Sequence, residues 1–257
     1  MIALIDSHSH LDAAEFDGDR DAVLERARSA GVTRQVVPAI ALSGFQKLRD
    51  LCAAEAGLYP AYGLHPMYLA EHEPAHLSDL AEWIERERPV AVGECGLDFF
   101  IENLDPDLQY DYLDRQLELA REFELPVILH ARRAFDEIAA AIRRVGGLRG
   151  VVHSFSGSEE QARQLWKLGF HLGIGGPVTY ERAKRLRATV AAMPIEFLLL
   201  ETDSPDQPLA HHRGERNEPA RLVEVLATVA QLRGESPEAV AAATTRNAET
   251  LFGLKDA

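Results

Sequence analysis

Residues 2–10 read Ile2-Ala3-Leu4-Ile5-Asp6-Ser7-His8-Ser9-His10, a short apolar run followed at once by polar side chains. The run leaves no room for a helix and predicts a short buried strand. Alternate side chains of an extended chain share a face, so His8 and His10 point the same way and are placed to hold one ion. Neutral imidazole is a common metal ligand. By itself, the pair is equally compatible with ordinary polar residues at a strand end.

The composition is that of an ordinary globular protein. The 257 residues are 46% hydrophobic and 26% charged, which is enough to bury a substantial core. Two cysteines, Cys52 and Cys95, do not make a disulfide framework. The first residues lack the pattern of a secretory leader, and no apolar run reaches membrane-spanning length. We therefore expect a cytoplasmic protein without membrane contacts.

The charge restricts how a nucleic acid would be recognised. The net charge is −14, whereas a protein that binds a phosphate backbone by bulk electrostatics carries a basic face. We expect any phosphate to be recognised through bound metal and a few local arginines. The same charge favours a small or end-bound substrate over a duplex lying across the surface.

Short apolar strands alternate with longer amphipathic helices along the chain. After the first strand, further strands are predicted at 33–38, 58–64, 90–94, 126–130, 150–153, 170–174 and 197–201. Helices are predicted at 19–30, 42–56, 74–88, 107–123, 134–145, 159–168, 181–193, 218–233 and 237–252. About eight such units in about 250 residues predict a (β/α)8 TIM barrel of the α/β class, with residues 1–257 as a single domain. The alternative is an open doubly wound sheet.

Polar residues at the strand ends favour the barrel. Side chains of the types that bind metals follow six of the predicted strands: His8, His10, His65, Glu94, His130, His153 and Asp203. In a parallel barrel, the carboxyl ends of all strands open at one mouth, so these side chains converge. That many nitrogen and carboxylate ligands exceed the needs of one tetrahedral ion and suit two ions bridged by a carboxylate.

Longer blocks of sequence carry a family resemblance. They are Asp6-Ser-His-Ser-His10, Gly63-Leu-His-Pro66, Gly93-Glu-Cys-Gly-Leu-Asp98, His130-Ala-Arg132, His153-Ser-Phe-Ser-Gly157, Gly173-Ile-Gly-Gly176, Glu201-Thr-Asp-Ser-Pro205 and Arg213-Gly-Glu-Arg-Asn-Glu-Pro219. These blocks extend over nearly the whole chain and occur in the order typical of one family. The chain resembles the TatD family of metal-dependent deoxyribonucleases. That family belongs to the amidohydrolase-like barrel superfamily.

The resemblance implies a set of site residues with two divalent ions. One ion would take His8, His10 and Asp203, and the other His130 and His153. Glu94 would bridge the two ions and share in catalysis, and Asp203 would also orient or deprotonate the attacking water. Glu201, on the same strand as Asp203, would support the ligands from behind. Mixed histidine and carboxylate ligands admit zinc, manganese, iron or magnesium.

The substrate contacts are less well defined. His65 precedes Pro66 and is expected to lie over the pocket. From there it could contact the substrate, transfer a proton or bind a metal, and the sequence does not choose among these roles. Arg132 and Arg213 are candidates for binding phosphate, as is Arg216, for which an ordinary surface salt bridge is the alternative. Two positions depart from the family: Ser154, where a cysteine is frequent, and the 206–209 loop, where many members carry a tyrosine.

Three functions remain to be separated. The first is a deoxyribonuclease that hydrolyses phosphodiester bonds with a water activated at a dinuclear site, so that DNA or another phosphodiester is the partner. The second is an amide or ester hydrolase of the same superfamily, such as an aminoacyl-tRNA deacylase, which needs the same activated water. The third, a barrel that binds without catalysis, is disfavoured because all six ligand positions are filled. The sequence leaves the oligomeric state open.

Overall fold

Eight parallel strands form one sheet whose spatial order follows the chain. The structure is a computed structural model that describes residues 3–254, so Ile2, the first residue of the predicted first strand, lies outside the described residues. Each strand pairs with the next in parallel. The strands are β1 (Leu4–Asp6), β2 (Val32–Pro38), β3 (Leu58–Tyr62), β4 (Ala91–Asp98), β5 (Val127–Arg132), β6 (Gly150–Val152), β7 (Phe170–Ile174) and β8 (Leu198–Leu200).

Residues just beyond β1 and β8 close the ring. The amide of Ser7 donates to the carbonyl of Leu200 at 3.0 Å, and the amide of Asp203 donates to the carbonyl of His8 at 2.9 Å. The first and last strands are therefore joined at their carboxyl ends. The predicted (β/α)8 barrel is confirmed, and the open doubly wound sheet is wrong.

The helices cover the outside of the barrel between successive strands. They are α1 (Arg20–Ser29), α2 (Phe45–Ala54), α3 (His76–Glu87), α4 (Pro106–Glu122), α5 (Phe135–Val145), α6 (Glu159–Lys167), α7 (Lys184–Ala192), α8 (Leu222–Arg233) and α9 (Pro237–Phe252). Several are shorter than predicted because a separate 3-10 turn occupies the first residues, as at Leu42–Gly44 and Pro219–Arg221. Within residues 3–254, no helix is long and apolar enough to cross a membrane.

Aliphatic side chains fill the barrel interior, and α9 packs against them. Ile5, Val36, Ile128 and their counterparts on other strands form one buried cluster with Leu251 and Phe252 of α9. Asn247 of α9 donates to the carbonyls of Ile195 and Leu198, before and at the start of β8, at 2.7 and 2.9 Å. Because α9 packs against this end of the barrel, we expect a site at the carboxyl-terminal mouth.

β4 ends four residues later than predicted. Its ladder with β5 continues through Cys95 to Asp98, after an irregularity in register between Val92 and Cys95. Gly96 permits the pairing, because it has a φ of +149° and a Cβ there would lie 1.9 Å from the carbonyl oxygen of His130. Glu94 therefore lies inside a strand rather than at its end, and Asp98 takes the end position.

Candidate metal centre

Oε2 of Glu94 faces the two histidines that follow β1. It lies 3.1 Å from Nε2 of His8 and 3.5 Å from Nε2 of His10. Asp203 approaches the same two nitrogens, with Oδ1 at 3.5 Å from His8 and 3.6 Å from His10. Two imidazoles and two carboxylates thus meet on this side of the mouth.

Oε1 of Glu94 faces a different group of histidines. It lies 2.7 Å from Nε2 of His153, 2.9 Å from Nε2 of His65 and 3.2 Å from Nδ1 of His130. Burial raises the pKa of Glu94, but the surrounding imidazoles outweigh this and hold that pKa well below its usual value. Glu94 is therefore an ionised carboxylate with one oxygen directed to each side.

The spacing of the imidazole nitrogens fits metal ligation. Nε2 of His8 lies 3.2 Å from Nε2 of His10, and Nδ1 of His130 lies 3.3 Å from Nε2 of His153. Two nitrogens bound about 2.0–2.1 Å from one tetrahedral ion are about 3.4 Å apart. Two ring nitrogens at this distance either share a proton or give their lone pairs to a common cation. The donor set therefore fits divalent ions on both sides of Glu94.

His65 makes contacts of a different kind. Its Nδ1 accepts a hydrogen bond from the amide of Met67 at 3.1 Å, so the neutral ring carries its proton on Nε2. That Nε2 then donates to Oε1 of Glu94 at 2.9 Å. Burial lowers the pKa of His65 to about 4, which agrees with a neutral ring. The ring thus has a donor, not a lone pair, directed at Glu94.

Asp98 contacts the candidate centre through His130, and it was not among the site residues predicted from the sequence. Its Oδ2 accepts a hydrogen bond from Nε2 of His130 at 3.0 Å, and its Oδ1 accepts from the amides of Phe100 and Ile101. Burial raises the pKa of Asp98, but these hydrogen bonds prevail and hold that pKa below its usual value. The residue lies in the quoted Gly93–Asp98 block, so a signal existed. A predicted end of β4 at residue 94 leaves it without a role.

Asp6 ties the two ends of the ring together beneath His8. It accepts hydrogen bonds from the amide of His8 at 3.2 Å and from the amide and hydroxyl of Thr202 at 3.0 and 2.6 Å. Burial raises the pKa of Asp6 to about 7. The contact fixes the loop that carries His8 against the loop that carries Asp203.

Glu201 lies behind His153 and is fully buried. Its Oε1 accepts from the amide of Ser154 at 2.5 Å and lies 3.8 Å from Nδ1 of His153. Neither Oε2 of Glu201 nor Nδ1 of His153 has a hydrogen-bond partner in the described part of the chain. Burial raises the pKa of Glu201 to about 8. Gly173 leaves the space, since a Cβ there would lie 2.0 Å from Oε2.

The two positions that depart from the family pattern contact each other. The side-chain amide of Gln207 donates to the hydroxyl of Ser154 at 2.6 Å and to Oδ2 of Asp203 at 2.5 Å. The Ser154 hydroxyl in turn donates to Oε1 of Gln207 at 3.0 Å. Gln207 therefore holds one oxygen of Asp203 while the other faces His8 and His10.

A cavity of about 750 Å³ opens above these residues. His10, His65, Glu94, His130 and Asp203 are part of its lining. The remaining wall includes Met67, Tyr68, Arg132, Ser154, Asp206 and Gln207.

The three candidate arginines lie in different surroundings. Arg132 lines this cavity. Arg213 is exposed in the segment between β8 and α8 and is not part of the cavity wall. Arg216 forms a bidentate salt bridge with Asp19 and lies over the ring of Phe16. The surface salt bridge that was the alternative for Arg216 is what the structure has.

Comparison with known proteins gives the family. A sequence profile described as TatD related DNase matches residues 5–253. The chain belongs to the TatD family. The metal-dependent hydrolase YjjV of Escherichia coli K12 is 42% identical over 253 residues, covering 97% of this chain and 98% of the relative. The 3'-5' ssDNA/RNA exonuclease TatD of Klebsiella pneumoniae is 35% identical over 262 residues, covering 98% of both chains.

Solved structures of the TatD family agree with the fold. The crystal structure of YjjV superposes with a TM-score of 0.95 at 41% identity, covering 99% of this chain and 100% of that one. A TatD-family hydrolase from Entamoeba histolytica superposes with a TM-score of 0.86 at 23% identity, over 98% of this chain and 99% of that one, which shows the shared fold. With its histidine and carboxylate cluster, this chain is a metal-dependent hydrolase of the TatD family.

Proposed function

We propose that this protein hydrolyses phosphodiester bonds of single-stranded nucleic acid, DNA first of all, with a water activated at a dinuclear metal site. The observation that carries the proposal is the two-sided environment of Glu94, which directs one oxygen to His8 and His10 and the other to His130 and His153. A carboxylate between two ligand groups is the arrangement that two-metal hydrolases use for phosphoryl transfer.

The ligand sets follow from the contacts on each side. His8, His10 and Asp203 would hold one ion, His130 and His153 would hold the other, and Glu94 would serve both. Two divalent ions held there would lower the pKa of a water molecule and neutralise charge on phosphoryl oxygens. The mixed nitrogen and oxygen donors suit zinc, manganese, iron or magnesium.

We assign to Asp203 the role of the base that accepts a proton from the attacking water. Its Oδ2 is held by the amide of Gln207, while its Oδ1 points to the histidine pair at the floor of the cavity. A carboxylate fixed in this way accepts a proton without first having to reorient. Glu94 contributes by contacting both ligand groups, one through each carboxylate oxygen. His65 donates a hydrogen bond that fixes the orientation of Glu94.

Arg132 is the residue that we assign to the substrate phosphate. It lies two positions after His130 on β5 and lines the same cavity. A guanidinium group offers several in-plane donors that match phosphate oxygens. The net charge of −14 disfavours a long duplex, and one strand end in a cavity of about 750 Å³ needs few cationic contacts. The exonuclease named among the relatives supports the same substrate class.

The deciding experiment is a substrate screen of the protein after chelation and reloading with zinc, manganese or magnesium. The substrates are end-labelled linear single strands, circular single strands, duplexes, an aminoacyl ester and an aryl amide. We expect metal-dependent shortening of linear single strands and little action on circles or duplexes. Hydrolysis of the ester or amide without cleavage of any phosphodiester would instead establish the amide and ester hydrolase alternative.

A further inference from the structure

A second cavity, of about 450 Å³, adjoins the metal centre. It shares Arg132 and Ser156 with the larger cavity, so the two form one continuous depression. Phe100, Arg133 and Arg185 form much of its remaining cationic and aromatic wall. None of these last three residues has a role in the proposed chemistry.

Phe100 carries two stacked guanidinium groups. The ring is 45% exposed, which is unusual for a large apolar side chain in this protein. The guanidinium carbon of Arg132 lies 3.6 Å from the ring centroid, and that of Arg133 lies 4.7 Å from it. Stacking uses the flat face of a guanidinium and leaves its in-plane N–H donors available to an anion. The ring therefore orders two arginines without satisfying their donors.

The arginines of this cavity lack anionic partners. Arg132, Arg133 and Arg185 form no ion pair and no side-chain hydrogen bond with any residue between 3 and 254. Elsewhere, arginines such as Arg26 and Arg144 take carboxylates, as expected in a strongly acidic protein. Two carboxylates also line the cavity, Asp136 and Glu137, and Asp136 accepts a hydrogen bond from Gln161 at 2.9 Å.

Phe100 with the two arginines stacked on it, here called the platform, is connected to the candidate metal centre by hydrogen bonds and by the chain itself. The amide of Phe100 donates to Oδ1 of Asp98 at 2.9 Å, and Oδ2 of the same carboxylate holds His130. Arg132 and Arg133 follow His130 by two and three residues. One carboxylate and one short segment therefore fix the distance between the second cavity and the reacting centre.

We propose that this cavity is a phosphate-binding subsite for the nucleotide next to the one that is cleaved. The ligand is a backbone phosphate of a single strand, held by the N–H edge of Arg133 above Phe100, with Arg185 at the far wall, while Arg132, which lines both cavities, stays with the phosphate that is cleaved. The inference rests on the proposed function, because it assigns a second phosphate of the same polymer. It also explains how an acidic protein holds a strand with local rather than global charge.

The test compares binding and catalysis in Arg133→Ala, Phe100→Ala and a matched control. Arg246→Ala is the control, because Arg246 is an exposed arginine on α9, at the opposite end of the barrel. Binding is measured by fluorescence anisotropy of a labelled phosphorothioate hexathymidylate on metal-loaded protein over a series of salt concentrations. Catalysis is measured with a hexathymidylate and with bis(p-nitrophenyl) phosphate, which has a single phosphodiester and no neighbouring phosphate.

We expect Arg133→Ala to weaken hexathymidylate binding about tenfold and to reduce the slope of log affinity against log salt by about 0.7, the value for one lost contact on a single strand. Phe100→Ala should weaken binding severalfold through loss of the platform. Arg246→Ala should stay within about twofold in binding, and Arg133→Ala and Arg246→Ala should both hydrolyse bis(p-nitrophenyl) phosphate like the wild type.

The outcomes separate this inference from the proposed function. If the wild type shortens hexathymidylate and both Arg133→Ala and Phe100→Ala bind it with unchanged affinity and salt slope, the subsite is wrong and the phosphodiesterase stands. If the wild type cleaves no phosphodiester but oligonucleotide binding still depends on Arg133, the proposed reaction is wrong and the phosphate subsite is supported.

Discussion

Oδ2 of Asp98 lies 3.0 Å from Nε2 of His130, and this hydrogen bond determines which nitrogen of the ring faces Glu94. An ionised carboxylate only accepts, so a neutral His130 ring, the form that binds a metal, carries its proton on Nε2 and its lone pair on Nδ1. Nδ1 is the atom that lies 3.2 Å from Oε1 of Glu94. In the proposed metal centre, Asp98 would thus prepare His130 as a ligand without binding an ion itself.

Asp98→Asn should weaken metal binding at the His130 side. An asparagine that keeps its oxygen toward the amides of Phe100 and Ile101 presents its NH2 group to His130, which favours the tautomer with the proton on Nδ1. Loss of such a supporting contact costs about 10–100-fold in metal affinity. Titration of chelated protein with metal, followed by calorimetry, should show one weakened site and one unchanged site. Unchanged affinity at both sites would contradict the orienting role.

Glu94→Gln should lower metal content on both sides of the carboxylate. The amide keeps one oxygen but loses the charge and the second acceptor, so no oxygen remains for one of the two histidine groups. Glu196→Gln, an exposed change just before β8, is the matched control. Elemental analysis after dialysis should find fewer than two ions in Glu94→Gln and the wild-type number in the control. Two ions retained in Glu94→Gln would rule out a bridging carboxylate.

Asp203→Asn should nearly abolish turnover while substrate still binds. The asparagine keeps the size of the side chain and one possible ligand oxygen but does not accept the proton of the attacking water. The lost interaction belongs to the transition state, so kcat falls and KM changes little. We expect kcat to fall by at least about 100-fold, or about 2.7 kcal/mol.

The control for this prediction is Asp206→Asn, which alters a second carboxylate on the wall of the same cavity. Steady-state kinetics and metal content are measured for both variants. A loss in Asp203→Asn of less than about tenfold, or 1.4 kcal/mol, would transfer the base role to another residue such as Glu201 or His65.

Gln207→Ala should lower kcat by at least about tenfold, because Asp203 loses the donor that holds its Oδ2 and a hydrogen bond to a charged group is worth about 1.5–3 kcal/mol. Ser154→Ala removes only the contact between Ser154 and Gln207 and leaves the donor to Asp203 in place. It should therefore lower kcat by less than Gln207→Ala does, since a neutral hydrogen bond contributes only about 0.5–1.5 kcal/mol. Steady-state kinetics on the same nucleic-acid substrate give the comparison. Equal losses in both variants would indicate that the loop position, and not the contact to Asp203, is what matters.

Gly96→Ala should destabilise the barrel by more than about 3 kcal/mol, because the new Cβ meets the carbonyl of His130 and the φ of +149° disfavours a side chain. The β4–β5 ladder would have to separate where it carries Glu94, Asp98 and His130. Urea unfolding gives the free energy of unfolding for this variant and for Gly18→Ala. A Cβ added at Gly18 would meet no atom within 4 Å, so that change should stay within about 1 kcal/mol. Similar stability of both variants would contradict the close packing at Gly96.

Most of the barrel follows from local sequence patterns. Each apolar run of about four to seven residues marks a strand, and an amphipathic helix after each run gives a right-handed parallel crossover. The predicted end of β4 is wrong because Glu94 is polar, and polar residues normally end a buried strand. A polar side chain inside a strand is tolerated when other strands supply its hydrogen-bond partners, as the histidines do for Glu94. Those partners lie far away in the sequence, so a local pattern does not show them.

The sequence by itself determined the (β/α)8 fold, the TatD family and the group of histidines and carboxylates that meets at the mouth. These depend on strand-end positions, and parallel strands bring their ends together whatever the details of packing. Only the tertiary structure decided that Asp98 holds His130, that His65 donates to Glu94, that Gln207 joins Ser154 to Asp203 and that Phe100 carries two arginines. The reason is physical: most of these contacts join residues far apart in the chain, and their strength depends on distances of a few tenths of an ångström and on proton positions that no sequence pattern encodes.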